Sequence, residues 1–112
     1  SDKLVRGIVI KDDDVYAITY NNAKNYKIIA TSLKHPDWNN ATTVADQNPD
    51  RTIESINYSK DYMFITYSDG INNFLSKYNF ATKKISEIKL PFSGTVGVTC
   101  FDTKSNYCVV GN

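Results

Sequence analysis

Few residues of this 112-residue chain could do chemistry, and their spacing argues against most of what they could do. A serine nucleophile of the hydrolase kind needs a strained strand-to-helix turn, written G-x-S-x-G, and a histidine that a carboxylate orients. Ser93 in PFSGTVG is the only serine beside a glycine, but Phe92 precedes it and no small residue stands at the required position. The single histidine, His35, lies before Pro36 in a polar loop and reads as a solvated loop residue. No catalytic residue is assigned.

Metal chemistry fares no better. Asp12, Asp13 and Asp14 invite a calcium reading, but a calcium loop continues with alternating oxygen ligands, a glycine and a distal glutamate. Here Val15 and Tyr16 begin a strand, so the three carboxylates belong to a hairpin turn in water. Asp69-Gly70 resembles part of a sialidase Asp-box, yet no Thr-Trp follows at the needed spacing, and a hairpin turn is expected there too. No CxxC or HxxxH spacing occurs. No metal site and no cofactor are expected, and no substrate-binding residue is assigned. Trp38 in HPDWNN could stack on a ligand, but a tryptophan after a proline-containing loop more often anchors that loop on a sheet.

Two cysteines, Cys100 and Cys108, are too few for the disulfide framework of a small secreted domain. With a turn centred on Lys104 they face each other across a hairpin, where a bridge is strained. A shift of one residue makes them diagonal. Two buried free thiols are the expectation. Two glycosylation sequons, Asn40-Ala41-Thr42 and Asn57-Tyr58-Ser59, are as many as this asparagine-rich chain contains by chance, and Asn57 falls inside an inner strand.

Composition narrows the partners. Thirteen Lys and Arg against twelve Asp and Glu give a net charge of +1 without a basic cluster, so neither nucleic acid nor an anionic membrane surface is expected. No apolar run reaches the roughly 18–20 residues of a membrane span. The opening SDKLVRGIVIKDDD lacks the pattern of a signal peptide.

The elements that must position these residues are strands. Eight tyrosines, five phenylalanines and many Ile, Val and Thr favour extended structure, and no segment keeps a 3.6-residue apolar period. Strands are predicted over 3–11, 14–20, 25–33 and, more weakly, 39–46. A second set covers 52–58, 62–68, 72–80 and 84–90, and a third begins with 95–101 and 106–112. The tripeptide ITY stands in the second strand of both full sets, at 18–20 and 65–67. Four short strands in about 45–50 residues, repeated, are the signature of a β-propeller blade. In VYAITY and YMFITY neither face is polar, as suits a strand covered on both sides. Lys84, Glu87 and Lys89 mark the last strand of the second set as an exposed edge. The expected fold class is therefore all-β, with antiparallel four-stranded blades of an incomplete β-propeller. The blade segments are 3–46, 52–91 and 95–112, making 1–112 a partial propeller; an ordinary meander or sandwich is the competing pattern.

Two stretches carry a family resemblance. In DDVYAITYNNAKNYKIIATSLKHPDWNNATTV, Asn25, Tyr26, Lys27 and Ile28 form an "NYKI" element, and Pro36 with Trp38 a "Pro…Trp" loop. In YNFATKKISEIKLPFSGTVG, Ala81, Thr82, Lys84, Leu90, Pro91, Gly94, Thr95, Val96 and Gly97 follow a second pattern. Both, in this order, resemble the propeller domain of the prolyl oligopeptidase family of serine peptidases, from about residue 12 to 105. Asn79 stands where that family prefers Asp and Lys83 where it has Gly, so a different turn type is expected there. YCVVGN lacks the family's usual ending.

The resemblance implies a non-catalytic piece of a propeller, about two and a half blades, with no catalytic domain in the chain. In that family a propeller caps an α/β-hydrolase domain and gates the entry of oligopeptides to a Ser-Asp-His site that cleaves after proline. The implied partners are the remaining blades, the hydrolase domain and, for the parent protein, a peptide substrate. The parent is expected in the cytoplasm, with the periplasm as the alternative. The alternative function is a stand-alone propeller scaffold for protein–protein interaction. Glycan binding or hydrolysis on a propeller lacks its acidic pair. Stacked blades bury both faces, so an isolated chain is expected to self-associate.

Overall fold

The computed structural model of the chain describes residues 5–20, 24–91 and 93–111. The strand residues expected at 3–4, the turn residues 21–23, Phe92 and Asn112 lie outside the described residues. Among the described residues ten strands form, in the order β1 Val5–Lys11, β2 Asp14–Thr19, β3 Lys27–Ser32, β4 Thr42–Ala45, β5 Thr52–Tyr58, β6 Tyr62–Ser68, β7 Asn73–Asn79, β8 Ile85–Ile88, β9 Gly97–Cys100 and β10 Cys108–Gly111. Among the described residues the only helical turn is a short 3-10 turn at Trp38–Asn40.

Strands β1 to β4 make one antiparallel sheet in sequence order, β5 to β8 a second, and β9 with β10 a two-stranded hairpin. The fold is all-β, built of the antiparallel four-stranded sheets of an incomplete β-propeller. By contacts the chain divides into two compact units, residues 1–53 and 54–112.

In the first unit, β1 and β2 join through a two-residue turn in which Asp12 takes φ 56°, a left-handed conformation that a short polar side chain tolerates. Val15 through Thr19 are all buried, so β2 is covered on both faces. Ile18, 1% exposed, sits between Gly7 on β1 and Ile28 on β3. Gly7 has a packing reason: a Cβ at that position would lie 3.2 Å from Ile18 Cδ1.

The second unit repeats the scheme. Met63, Ile65 and Leu75 are fully buried, and Thr66 and Tyr67 nearly so. Burying each of these large aliphatic side chains contributes about 1.5–3 kcal/mol. The β6–β7 loop is closed by Asp69, whose Oδ1 accepts from the amides of Ile71 (2.9 Å) and Asn72 (2.8 Å), while Gly70 supplies φ 97°. Its carboxylate is thus a structural acceptor. β8 is an exposed edge carrying Glu87, with Lys84 and Lys89 exposed at its two ends.

The β7–β8 turn settles what the Asn79 and Lys83 departures do. Asn79 Oδ1 accepts from Ala81 N (2.8 Å) and Thr82 N (3.0 Å), the role an aspartate would fill. Lys83 has φ 61° and its amide donates to Asn79 O at 2.7 Å, so it occupies the left-handed conformation that favours glycine. Lys83→Gly is therefore expected to raise stability by about 1 kcal/mol. A urea titration will show a higher midpoint at unchanged slope; a lower midpoint would mean position 83 is not left-handed.

Candidate functional site

The residues singled out in the sequence are held by structural contacts. His35 is exposed, and its backbone amide donates to Ser32 Oγ (3.2 Å). Asp37 N donates to Thr31 Oγ1 (3.0 Å), and Asn40 Nδ2 to Asp37 Oδ2 (3.0 Å). These bonds tie the HPDWNN loop to β3 and hold Trp38 half-buried in its short turn. His35 and Ser93 lie in different units, each placed by neighbours in its own. Asp12 pairs with Lys11, Nζ to Oδ2 3.5 Å, on the surface. Among the described residues no three His, Cys, Asp or Glu side chains gather as metal ligands.

Ser93 lines a cleft of about 260 Å³ with Asn72, Asn73, Phe74, Ile88 and Leu90. The floor of this cleft is a set of asparagine staples. Asn72 Oδ1 accepts from Gly94 N (3.0 Å), and Asn73 Oδ1 accepts from Val96 N (3.1 Å). Asn73 N donates to Gly94 O (2.8 Å), and its Nδ2 to Tyr67 O (3.0 Å). Together they fasten the segment entering β9 to the β6–β7 loop.

The first unit has the matching device. Asn25 of the NYKI element donates through Nδ2 to Asn48 O (2.7 Å) and accepts from Thr52 Oγ1 at Oδ1 (3.3 Å), while its carbonyl accepts from Ile53 N (3.2 Å). The loop before the third strand of each sheet thus grips the chain that leads out of that sheet. A third staple joins the hairpin to the β5–β6 turn. Asn106 Oδ1 accepts from Ser59 Oγ (2.8 Å) and Asp61 N (2.8 Å), and its Nδ2 donates to Asp61 Oδ2 (2.7 Å). Lys60 N donates to Ser105 O (2.8 Å). Asn25 stands out in the sequence only as part of the NYKI element, and the pairings themselves escape motif reading because the partners lie far away in sequence.

Asn57, the second sequon, lies in β5 with Nδ2 donating to Val98 O (2.9 Å), so its amide is engaged. Asn40 is exposed.

The cysteines correct the expectation of buried free thiols. Cys100 stands directly opposite Cys108 in the β9–β10 register, Cα to Cα 4.1 Å, and the two form a disulfide. The hairpin does turn about Lys104, and direct opposition puts both side chains on one face at close range. Both are half-exposed, because a two-stranded hairpin leaves little to cover them.

Two consecutive four-stranded antiparallel sheets, each gripping its exit segment, followed by a further hairpin, define part of a β-propeller. Comparison with known proteins sharpens this. The family model described as the prolyl oligopeptidase N-terminal β-propeller domain matches residues 5–109. The chain belongs to the prolyl oligopeptidase family, within its N-terminal β-propeller domain. It is 30% identical over 95 residues to a prolyl endopeptidase of Elizabethkingia miricola, covering 81% of this chain and 13% of that protein. Its fold is similar to prolyl oligopeptidase B from Galerina marginata bound to a 35mer hydrolysis and macrocyclization substrate. That match has a TM-score of 0.77 and 18% identity, over 93% of this chain and 14% of the other. The same enzyme without substrate gives 0.71 and 19%, over 86% and 14%.

Proposed function

We propose that this chain is a non-catalytic stretch of the propeller in a prolyl oligopeptidase-like serine peptidase. In such a peptidase the propeller gates oligopeptide access to a Ser-Asp-His site in a separate α/β-hydrolase domain, which cleaves short peptides after proline. The observation that carries this is the family match across residues 5–109, on a chain whose sheets repeat the same four-strand unit. Ser93 and His35 have no part in the proposed reaction. The chain's own contribution is shape: sheets whose exit segments are fastened by asparagines, giving the stiffness that size selection needs.

The test uses the full-length gene product. A fluorophosphonate probe is expected to label one serine outside this stretch, and a short proline-containing peptide is expected to be cut where a folded protein carrying the same sequence is spared. A product that takes no probe, and whose gene continues in blade repeats without a G-x-S-x-G segment, would overturn the proposal in favour of a binding scaffold.

The chain expressed alone is expected to self-associate. Ile71, Phe101 and Tyr107 each expose well over half their surface, and Val109 and Val110 lie exposed on β10 of a two-stranded hairpin. Apolar surface beside an uncovered strand edge promotes association. Sedimentation velocity is expected to show dimers or larger species growing with concentration; a clean monomer throughout would count against it.

A further inference from the structure

The Cys100–Cys108 disulfide occupies a position from which it can control the third asparagine staple. Both sulfurs belong to half-exposed residues, on a hairpin whose ladder is four residue pairs long among the described residues. Between them lie Ser105 and Asn106, which bond the hairpin tip to the β5–β6 turn. The phenyl ring of Phe101 stacks on Tyr107 at 5.6 Å, immediately inside the crosslink. A disulfide that closes a short loop on an accessible hairpin is open to attack by a small thiolate, whereas one buried in a core is not.

We infer that Cys100–Cys108 is a thiol-exchange site for a small monothiol of the glutathione class, and that its redox state sets whether the hairpin tip is latched to the β5–β6 turn. One reductant thiolate attacks a cysteine sulfur, forming a mixed disulfide and releasing the other cysteine as a thiolate that takes a proton. A second reductant thiolate attacks the reductant's sulfur in that mixed disulfide, releasing the remaining cysteine, which is also protonated. Two electrons enter the protein, and two reductant thiols leave as their own disulfide. Without the crosslink, the hairpin is left with its short, largely exposed ladder and the Phe101–Tyr107 contact, and Asn106 is held less firmly in line with Ser59 and Asp61.

The experiment equilibrates the full chain in buffers of reduced and oxidised glutathione, traps free thiols with N-ethylmaleimide and follows amide exchange by mass spectrometry. Two maleimides are expected to add together, reversibly, as the buffer becomes reducing. The amides of Lys60 and Asp61, which donate to Ser105 O and Asn106 Oδ1, are then expected to exchange about tenfold faster. Asn106→Ala is expected to give the same faster exchange at Asp61 with the disulfide intact, and no further rise at Asp61 when glutathione reduces it. A bond that resists glutathione until the chain unfolds would overturn the inference. So would reduction that leaves Lys60 and Asp61 unchanged, or cysteines that stay free thiols under oxidising buffer.

Discussion

Ile65→Ala is expected to destabilise the chain by about 2–5 kcal/mol, the range for emptying a fully buried aliphatic site. Ile65 is 0% exposed at the centre of β6, opposite Ser76 on β7 and two residues from fully buried Met63. Alanine leaves a void that a sheet covered on both faces cannot collapse to fill, so the lost transfer energy and the cavity add. Such a loss approaches the total stability of a small domain, roughly 5–15 kcal/mol. Ile18→Ala should behave alike, since Ile18 holds the matching place in the first sheet. Ile71→Ala is the control: at 85% exposed it should change stability by no more than about 0.5 kcal/mol. Urea unfolding followed by circular dichroism, at concentrations low enough to limit association, will separate them. Equal midpoints for Ile65→Ala and Ile71→Ala would mean the repeat does not place Ile65 in the core.

Asn73→Ala is expected to cost about 2–3 kcal/mol, because it removes two side-chain hydrogen bonds and strands the amide of buried Val96. The variant should loosen the segment from 94 to 96 and, with it, the entry to β9. Asn73→Asp separates the two roles: it keeps the acceptor for Val96 N and loses the donor to Tyr67 O. It should recover about half of the loss. An Asp variant as damaged as the Ala variant would locate the effect in the Tyr67 bond or in the added charge.

Strand positions were legible because β-branched and aromatic runs alternate with turn residues. VYAITY and YMFITY even announced burial on both faces. Strand ends were less so. The third strand was expected from residue 25 but begins at Lys27, because Asn25 is engaged in its staple and Tyr26 takes φ 70°. The fourth was expected from residue 39 but starts at Thr42, since Asn40 closes a 3-10 turn on Asp37. The family was legible from NYKI and the Pro-Trp loop, whereas the staples were not. Asn106 meets Asp61 across 45 residues, and no local pattern encodes that pairing. The disulfide is not legible in the sequence because opposition across a hairpin argues for strain, whereas the β9–β10 register sets both cysteines on one face within bonding reach.

Among the described residues, every ladder joins strands that are neighbours in the sequence. Each of these pairings closes a short connection, so little loop entropy must be spent before a ladder begins to form. Each sheet can complete itself on the ribosome as soon as its fourth strand has emerged, without waiting for later residues. For an all-β chain that means quick assembly, and a short period during which unpaired edges are offered to other nascent chains.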